Sequence, residues 1–144
     1  MVRTQFANDL PLVTADRIQL QQVILNLVVN SIQALSAIAN SPPELQLTTQ
    51  TIAQIDAEGA QESAVRTYST DAKPQQVLVT IKDSGPGLDS EHLDHLFDPF
   101  FSTKPQGLGL GLTISRSIIE AHGGRLWAKT NTPRGAIFQF TLPI

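Results

Sequence analysis

The sequence predicts an α+β fold: a two-layer sandwich with about three helices on one face of a mixed, mostly antiparallel sheet. Three observations predict it. The elements run helix, strand, strand, helix, strand, strand, an order in which strands pair locally and helices share a layer. The first helix carries a long apolar stripe, as a helix covering a sheet must. The last two strands are separated only by a turn. At 144 residues the chain is expected to form a single domain, 1–144, with one core.

Residues 15–39 read as the first helix. Leu20, Val23, Ile24, Leu27, Val28, Ile32 and Leu35 recur at three- and four-residue steps. Thr14 or Asp16 can cap its start, and Ser41-Pro42-Pro43 ends it. Glu44 to Ile52 alternates as a strand, with Leu45, Leu47 and Thr49 on one face. Residues 53–74 are rich in Gln, Ala, Ser, Glu and Thr with weak periodicity, and read as a surface insertion between two strands. Gln76 to Lys82 is the second strand, with Val77, Val79 and Ile81 facing one way. Asp83-Ser84-Gly85-Pro86-Gly87 turns the chain, and a short helix follows over residues 90–96. Phe97 to Pro105 is too proline-broken to be regular. Gly107-Leu108-Gly109-Leu110-Gly111 opens a helix to Ala121, which Gly123-Gly124 closes. Arg125–Thr130 and Ala136–Leu142 are strands, joined by a turn over Asn131–Gly135.

Several function classes are disfavoured at once. A formal charge of −3 gives no electrostatic case for nucleic acid or an anionic membrane. With no cysteine there is neither a disulfide framework nor a thiolate metal site. His92 and His95 lack an evident third ligand and read as a solvated helix face. No apolar run is long enough to cross a bilayer and no signal peptide is seen, so the expectation is a soluble, cytoplasmic fragment.

Three constellations carry chemistry. Asn26, Asn30 and Gln33 fall at i, i+4 and i+7 on the first helix, on a wheel well away from the Leu20–Leu35 stripe, with Leu25 and Val29 beside them. Such amides either bond one another and the backbone, or place an oxygen in the shell of a Mg²⁺ that also holds phosphates and waters. Asp83, before Gly85 and Gly87, either bonds its own turn or accepts from an exocyclic amine such as that of adenine, the glycines letting a flat base approach the backbone. The glycines at 107, 109 and 111 are either a hinge or a set of N–H groups at a helix start that favours phosphate. They match neither a dinucleotide fingerprint nor a P-loop. Lys104 upstream either neutralises phosphate or is simply solvated. Phe97, Phe100 and Phe101 straddle Pro99 and are either core or the pinned base of a moving loop.

Taken together, these segments resemble the GHKL family of ATP-binding domains, named for gyrase, Hsp90, histidine kinase and MutL, and its histidine kinase branch above all. Asn26-Leu27-Val28-Val29-Asn30-Ser31 resembles the family's asparagine box, and Asp83 to Gly87 its first glycine box. Phe97 to Phe101 resembles its phenylalanine box, Gly107 to Gly111 its second glycine box, and Gly135 to Pro143 its closing strand. The boxes stand in the family's order along nearly the whole chain. The run Phe100-Phe101-Ser102-Thr103-Lys104-Pro105 resembles the nitrogen-regulation and oxygen-sensing kinases, with a short lid. Ser31 stands where alanine is commoner, and Ala136 where threonine is commoner.

The resemblance implies a Bergerat-type fold and a protein histidine kinase catalytic domain that binds ATP and Mg²⁺. Asn30 would hold the metal with Asn26 in support. Gln33, Lys104, Gly107, Leu108, Gly109, Leu110, Gly111 and Thr141 would contact the nucleotide. Asp83, Gly85 and Gly87 would form the adenine pocket, and residues 97–111 the ATP lid. The phosphoryl group would pass to a histidine on a dimerisation domain absent from these residues, and a response regulator would act downstream. The fragment is expected to be monomeric and its full-length parent a homodimer, with no nucleic-acid partner and no direct membrane contact, whether or not the parent is membrane-anchored. Hydrolases of the family carry a glutamate four residues before the metal asparagine. Asn26 stands there, and an amide cannot act as a general base. The alternatives are a degenerate nucleotide-binding scaffold and a serine kinase of the anti-sigma type.

Overall fold

The computed structural model describes residues 1–38, 41–53, 75–100 and 111–144. These form β1 (Val2–Phe6), α1 (Arg17–Ser36), β2 (Leu45–Ala53), β3 (Gln75–Asp83), α2 (Ser90–Leu93), α3 (Gly111–Ala121), β4 (Arg125–Thr130) and β5 (Ala136–Pro143). The sheet order is β1-β2-β3-β5-β4. β1 runs parallel to β2, and the other pairs are antiparallel. Parallel neighbours need a crossover, which α1 supplies. Ala53 pairs with Gln75, so residues 54–74, which lie outside the described residues, connect adjacent strands.

One core joins the layers. Val23 and Leu27 of α1 and Ile119 of α3 pack with Leu45, Ile81, Leu126, Ala136, Phe138, Phe140 and Leu142 from the sheet. The period of two along β5 sends Phe138, Phe140 and Leu142 to the helices. It sends Gln139 to the opposite face, where its Oε1 accepts from Trp127 Nε1 at 3.1 Å and its Nε2 donates to Thr80 Oγ1 at 3.0 Å.

Asp16 caps α1: its Oδ1 accepts from the Gln19 N–H at 3.0 Å. The helix is shorter than its periodicity suggested, by two residues at the start and three at the end, the last turn closing through Ala37 N–H to Ala34 O. The apolar stripe is also displaced. Ile32 stands 52% exposed beside the exposed Ile18, Leu25 and Val29, whereas Asn26 and Asn30 are half-buried. Asn30 is seven residues from the buried Val23, about 20° round a helix of 3.6 residues per turn. The asparagines therefore border the buried arc rather than lying well away from it, because α1 packs against α3 as well as the sheet.

α2 is confined to Ser90–Leu93 and continues as turns. α3 ends as expected, with Gly123 at φ 79° and the Gly124 N–H reaching Ile119 O at 2.9 Å. Strand β1 was not foreseen. It lies at the sheet edge with all its residues exposed, so no buried face imposes a pattern on it. No helix among the described residues is long and apolar enough to cross a membrane.

Ser31 is buried at 1% exposure, and its hydroxyl has no hydrogen-bond partner among the described residues. An unpaired buried hydroxyl costs about 1 kcal/mol or more. Ser31→Ala removes it and places a better helix former there. Thermal unfolding of that variant should show a rise of roughly 2–4 °C. An unchanged or lower midpoint would mean that the hydroxyl is satisfied.

Candidate functional site

Asp83 ends β3 and is almost wholly buried. Its Oδ1 accepts from the Gly85 N–H at 2.8 Å and from the Ala136 N–H at 3.2 Å. Its Oδ2 accepts from no described residue and is not sealed from the surface. One carboxylate oxygen is thus committed to the fold and the other is left for a donor from outside.

The turn that carries Asp83 is held from two sides. Ser84 exchanges bonds with Glu44: its N–H reaches Glu44 O at 3.1 Å, and its Oγ accepts from the Glu44 N–H at 2.9 Å. From the β4–β5 turn, Asn131 Nδ2 donates to Asp83 O at 2.9 Å and Arg134 Nε to Ser84 O at 3.3 Å. Gly135 closes the packing at φ 116°; a Cβ there would overlap the Asp83 carbonyl oxygen. Gly87, at φ 88°, lies against Gly135.

Gly85 joins this turn to α1. A Cβ on it would lie 3.1 Å from the Ala34 Cβ and 2.8 Å from Asp83 Oδ1. Ala34 is one helical turn beyond Asn30, and Asn26 one turn before it, so the three share a face with turns about 5.4 Å apart. At the far end of that face Asn26 Nδ2 donates to Ser115 Oγ on α3 at 3.2 Å. Gln33 lies at its exposed margin. Asp83, Gly85, Asn30 and Asn26 therefore lie along one face of α1, from the end of β3 to the first turns of α3.

Lys104, Gly107, Leu108, Gly109 and Leu110 lie outside the described residues, as does Phe101. The two flanks of that segment are joined. Thr113 Oγ1 donates to Phe97 O at 2.9 Å, and the Arg116 guanidinium sits 5.2 Å from the centre of the Phe97 ring, which packs on the core. Phe100 is exposed, with φ 65°. Gly111 is the first residue of α3, and a Cβ on it would meet nothing within 4 Å among the described residues.

Thr141 lies on β5. It pairs with Leu78, five residues along β3 from Asp83, and its Oγ1 accepts from the Arg125 N–H at 3.2 Å. The alternation of β5 turns it to the face opposite Phe140 and the helices. The end of β5 that reaches Asp83 is Ala136.

With this geometry in place, residues 15–144 match the model of the histidine kinase-, DNA gyrase B- and HSP90-like ATPase family. The chain belongs to that family. Sensor protein FixL of Bradyrhizobium diazoefficiens is 41% identical over 132 residues, 92% of this chain and 22% of that protein. Sensor protein TdiS of Thauera aromatica is 41% identical over 143 residues, 99% of this chain and 23% of that protein. The chain spans less than a quarter of either relative. The catalytic domain of histidine kinase ThkA matches with a TM-score of 0.71 at 33% identity, over 99% of this chain and 77% of that one. The two-layer sandwich is thus the fold of a histidine kinase catalytic domain.

Three residues of this ATPase-family domain hold the Asp83 turn and Asn26 without having been singled out from the sequence. Asn131 and Gly135 shape the Asp83 turn; a glycine immediately before a strand was the available signal for Gly135. Ser115 reaches Asn26 across 89 positions, which no local pattern reveals. His122 stands just before Gly123-Gly124. Its Nε2 accepts from the Asp16 N–H at 3.0 Å and its Nδ1 bonds Ile118 O at 2.7 Å, so it ties the end of α3 to the start of α1.

Proposed function

We propose that the domain binds Mg²⁺-ATP and presents its γ-phosphate to a histidine on a dimerisation domain of the same protein, as the catalytic part of a two-component sensor kinase. One observation carries the reading. The Asp83 carboxylate is anchored by two backbone N–H groups through one oxygen while its other oxygen meets no described donor, and it stands beside the asparagine face of α1. That suits an exocyclic amine next to a triphosphate. Solved relatives point the same way: full-length ShkA, 25% identical with a TM-score of 0.67, was determined in complex with AMPPNP, and ThkA in complex with the response regulator protein TrrA.

In this reading Asp83 orients the base and Gly85 admits it. Asn30 holds a metal-facing amide oxygen, and Asn26 supports it. These residues fit Mg²⁺: two half-buried amides offer hard oxygen ligands, and phosphate oxygens and water would complete its shell. The bound ion supplies charge neutralisation between the phosphates. Gln33, Lys104 and residues 107–111 contact the triphosphate. The incoming imidazole nitrogen bonds to phosphorus as the bond to the bridging oxygen breaks. ADP leaves, and the imidazole proton passes to an acidic neighbour on the acceptor domain. Positioning and charge neutralisation are most of what phosphoryl transfer requires. With an amide at position 26, no side chain there activates water. A response regulator then takes the phosphoryl group, in the cytoplasm.

Asn30→Ala should abolish the Mg²⁺-dependent part of ATP binding while leaving the fold intact. Calorimetry with and without Mg²⁺ reads this, and an unchanged affinity would refute the metal role. The transfer itself is tested by mixing the domain with a histidine-bearing helical hairpin and labelled ATP. Acid-labile, base-stable label is the expected product; label on serine would move the assignment to the anti-sigma type.

A further inference from the structure

We infer that Ser115 is a positioning residue for phosphoryl transfer, holding Asn26 so that its amide oxygen faces the metal and phosphates. The inference rests on the proposed function and adds to it a residue from α3. Ser115 is completely buried in the interior of a helix, where serine is a weak former. Among the described residues its hydroxyl makes one hydrogen bond, accepting from Asn26 Nδ2 at 3.2 Å.

That bond has a directional consequence. An amide has an oxygen end and an NH₂ end, and only the oxygen can face a cation. Committing Nδ2 to Ser115 leaves Oδ1, which accepts from no described residue, for the ligand. Without the serine the amide has no partner on α3 and can turn its NH₂ toward the cation. Ser115 lies one turn into α3 from Gly111, so the same bond fixes the asparagine helix to the helix that follows the second glycine box.

A thermodynamic cycle tests this. Ser115→Ala, Asn26→Ala and the double variant are compared with the parent domain by calorimetric ATP titration, with Mg²⁺ and with EDTA. A hydrogen bond of this kind predicts about a three- to tenfold loss of Mg²⁺-ATP affinity in Ser115→Ala. Affinity in EDTA should be unchanged, and the Asn26→Ala background should show no further loss. Equal losses in both buffers would reduce Ser115 to a packing residue, and losses that add in the double variant would show that it does not act through Asn26. A parent domain indifferent to Mg²⁺ would defeat the proposed function itself. A responsive parent with an indifferent Ser115→Ala would defeat this inference alone.

Discussion

Asp83→Asn should fold like the parent and bind ATP about 100-fold more weakly, roughly 3 kcal/mol. The reason lies in the division of labour between the two carboxylate oxygens. Gly85 and Ala136 present N–H groups to Oδ1, so an asparagine in this place must keep its oxygen there. Its NH₂ then occupies the position of Oδ2 and meets the adenine amine donor to donor. Stability is preserved while recognition is inverted. GTP, which offers a carbonyl where ATP offers an amine, should lose nothing. Calorimetry with both nucleotides decides the matter, and equal falls for ATP and GTP would remove Asp83 from the adenine pocket.

Gly135→Ala should damage fold and site together. Its φ of 116° belongs to a region that side chains rarely adopt, and the added methyl overlaps the Asp83 carbonyl oxygen and comes within 3.1 Å of Ser84 Cα. Neither neighbour is the free end of a flexible side chain. The turn bearing the carboxylate must move, at a cost of about 3 kcal/mol and a midpoint drop of roughly 10 °C. Gly111→Ala is the control, since a methyl there meets nothing within 4 Å among the described residues and should leave the midpoint nearly unchanged. Matching thermal scans for the two variants would show that Gly135 is not sterically required. Nucleotide affinity should fall with stability in Gly135→Ala, because the displaced backbone is the one that carries Asp83.

The parts of this arrangement that were legible in the sequence are those set by local periodicity and turn chemistry. Val77, Val79 and Ile81 announced β3, Gly123-Gly124 announced the end of α3, and Asp83 and Asn30 stood out as polar residues in patterned surroundings. Strand β1 gave no signal because an exposed edge strand has no buried face to encode. The asparagines were placed too far from the apolar stripe because a wheel drawn for a helix on one sheet ignores a second helix packed at its flank. Likeness along a strand says nothing of which face a hydroxyl takes; only the register, Thr141 against Leu78, gives its place in the sheet. Ser115, Asn131 and His122 act across 89, 48 and 106 positions. Only the folded chain brings such partners together.

The hydrogen-bonded row Trp127–Gln139–Thr80 bears on how the molecule can be observed. Trp127 is the sole tryptophan in the chain, pinned through its indole N–H with the Arg125 guanidinium 5.9 Å from its ring centre, and it bonds Gln139 on the face of the sheet away from the helices. Its intrinsic emission is therefore a gauge of sheet integrity and is blind to a ligand bound on the helical side. Melting curves followed by that fluorescence report the scaffold, and ligand titrations need a different optical handle, such as a labelled nucleotide.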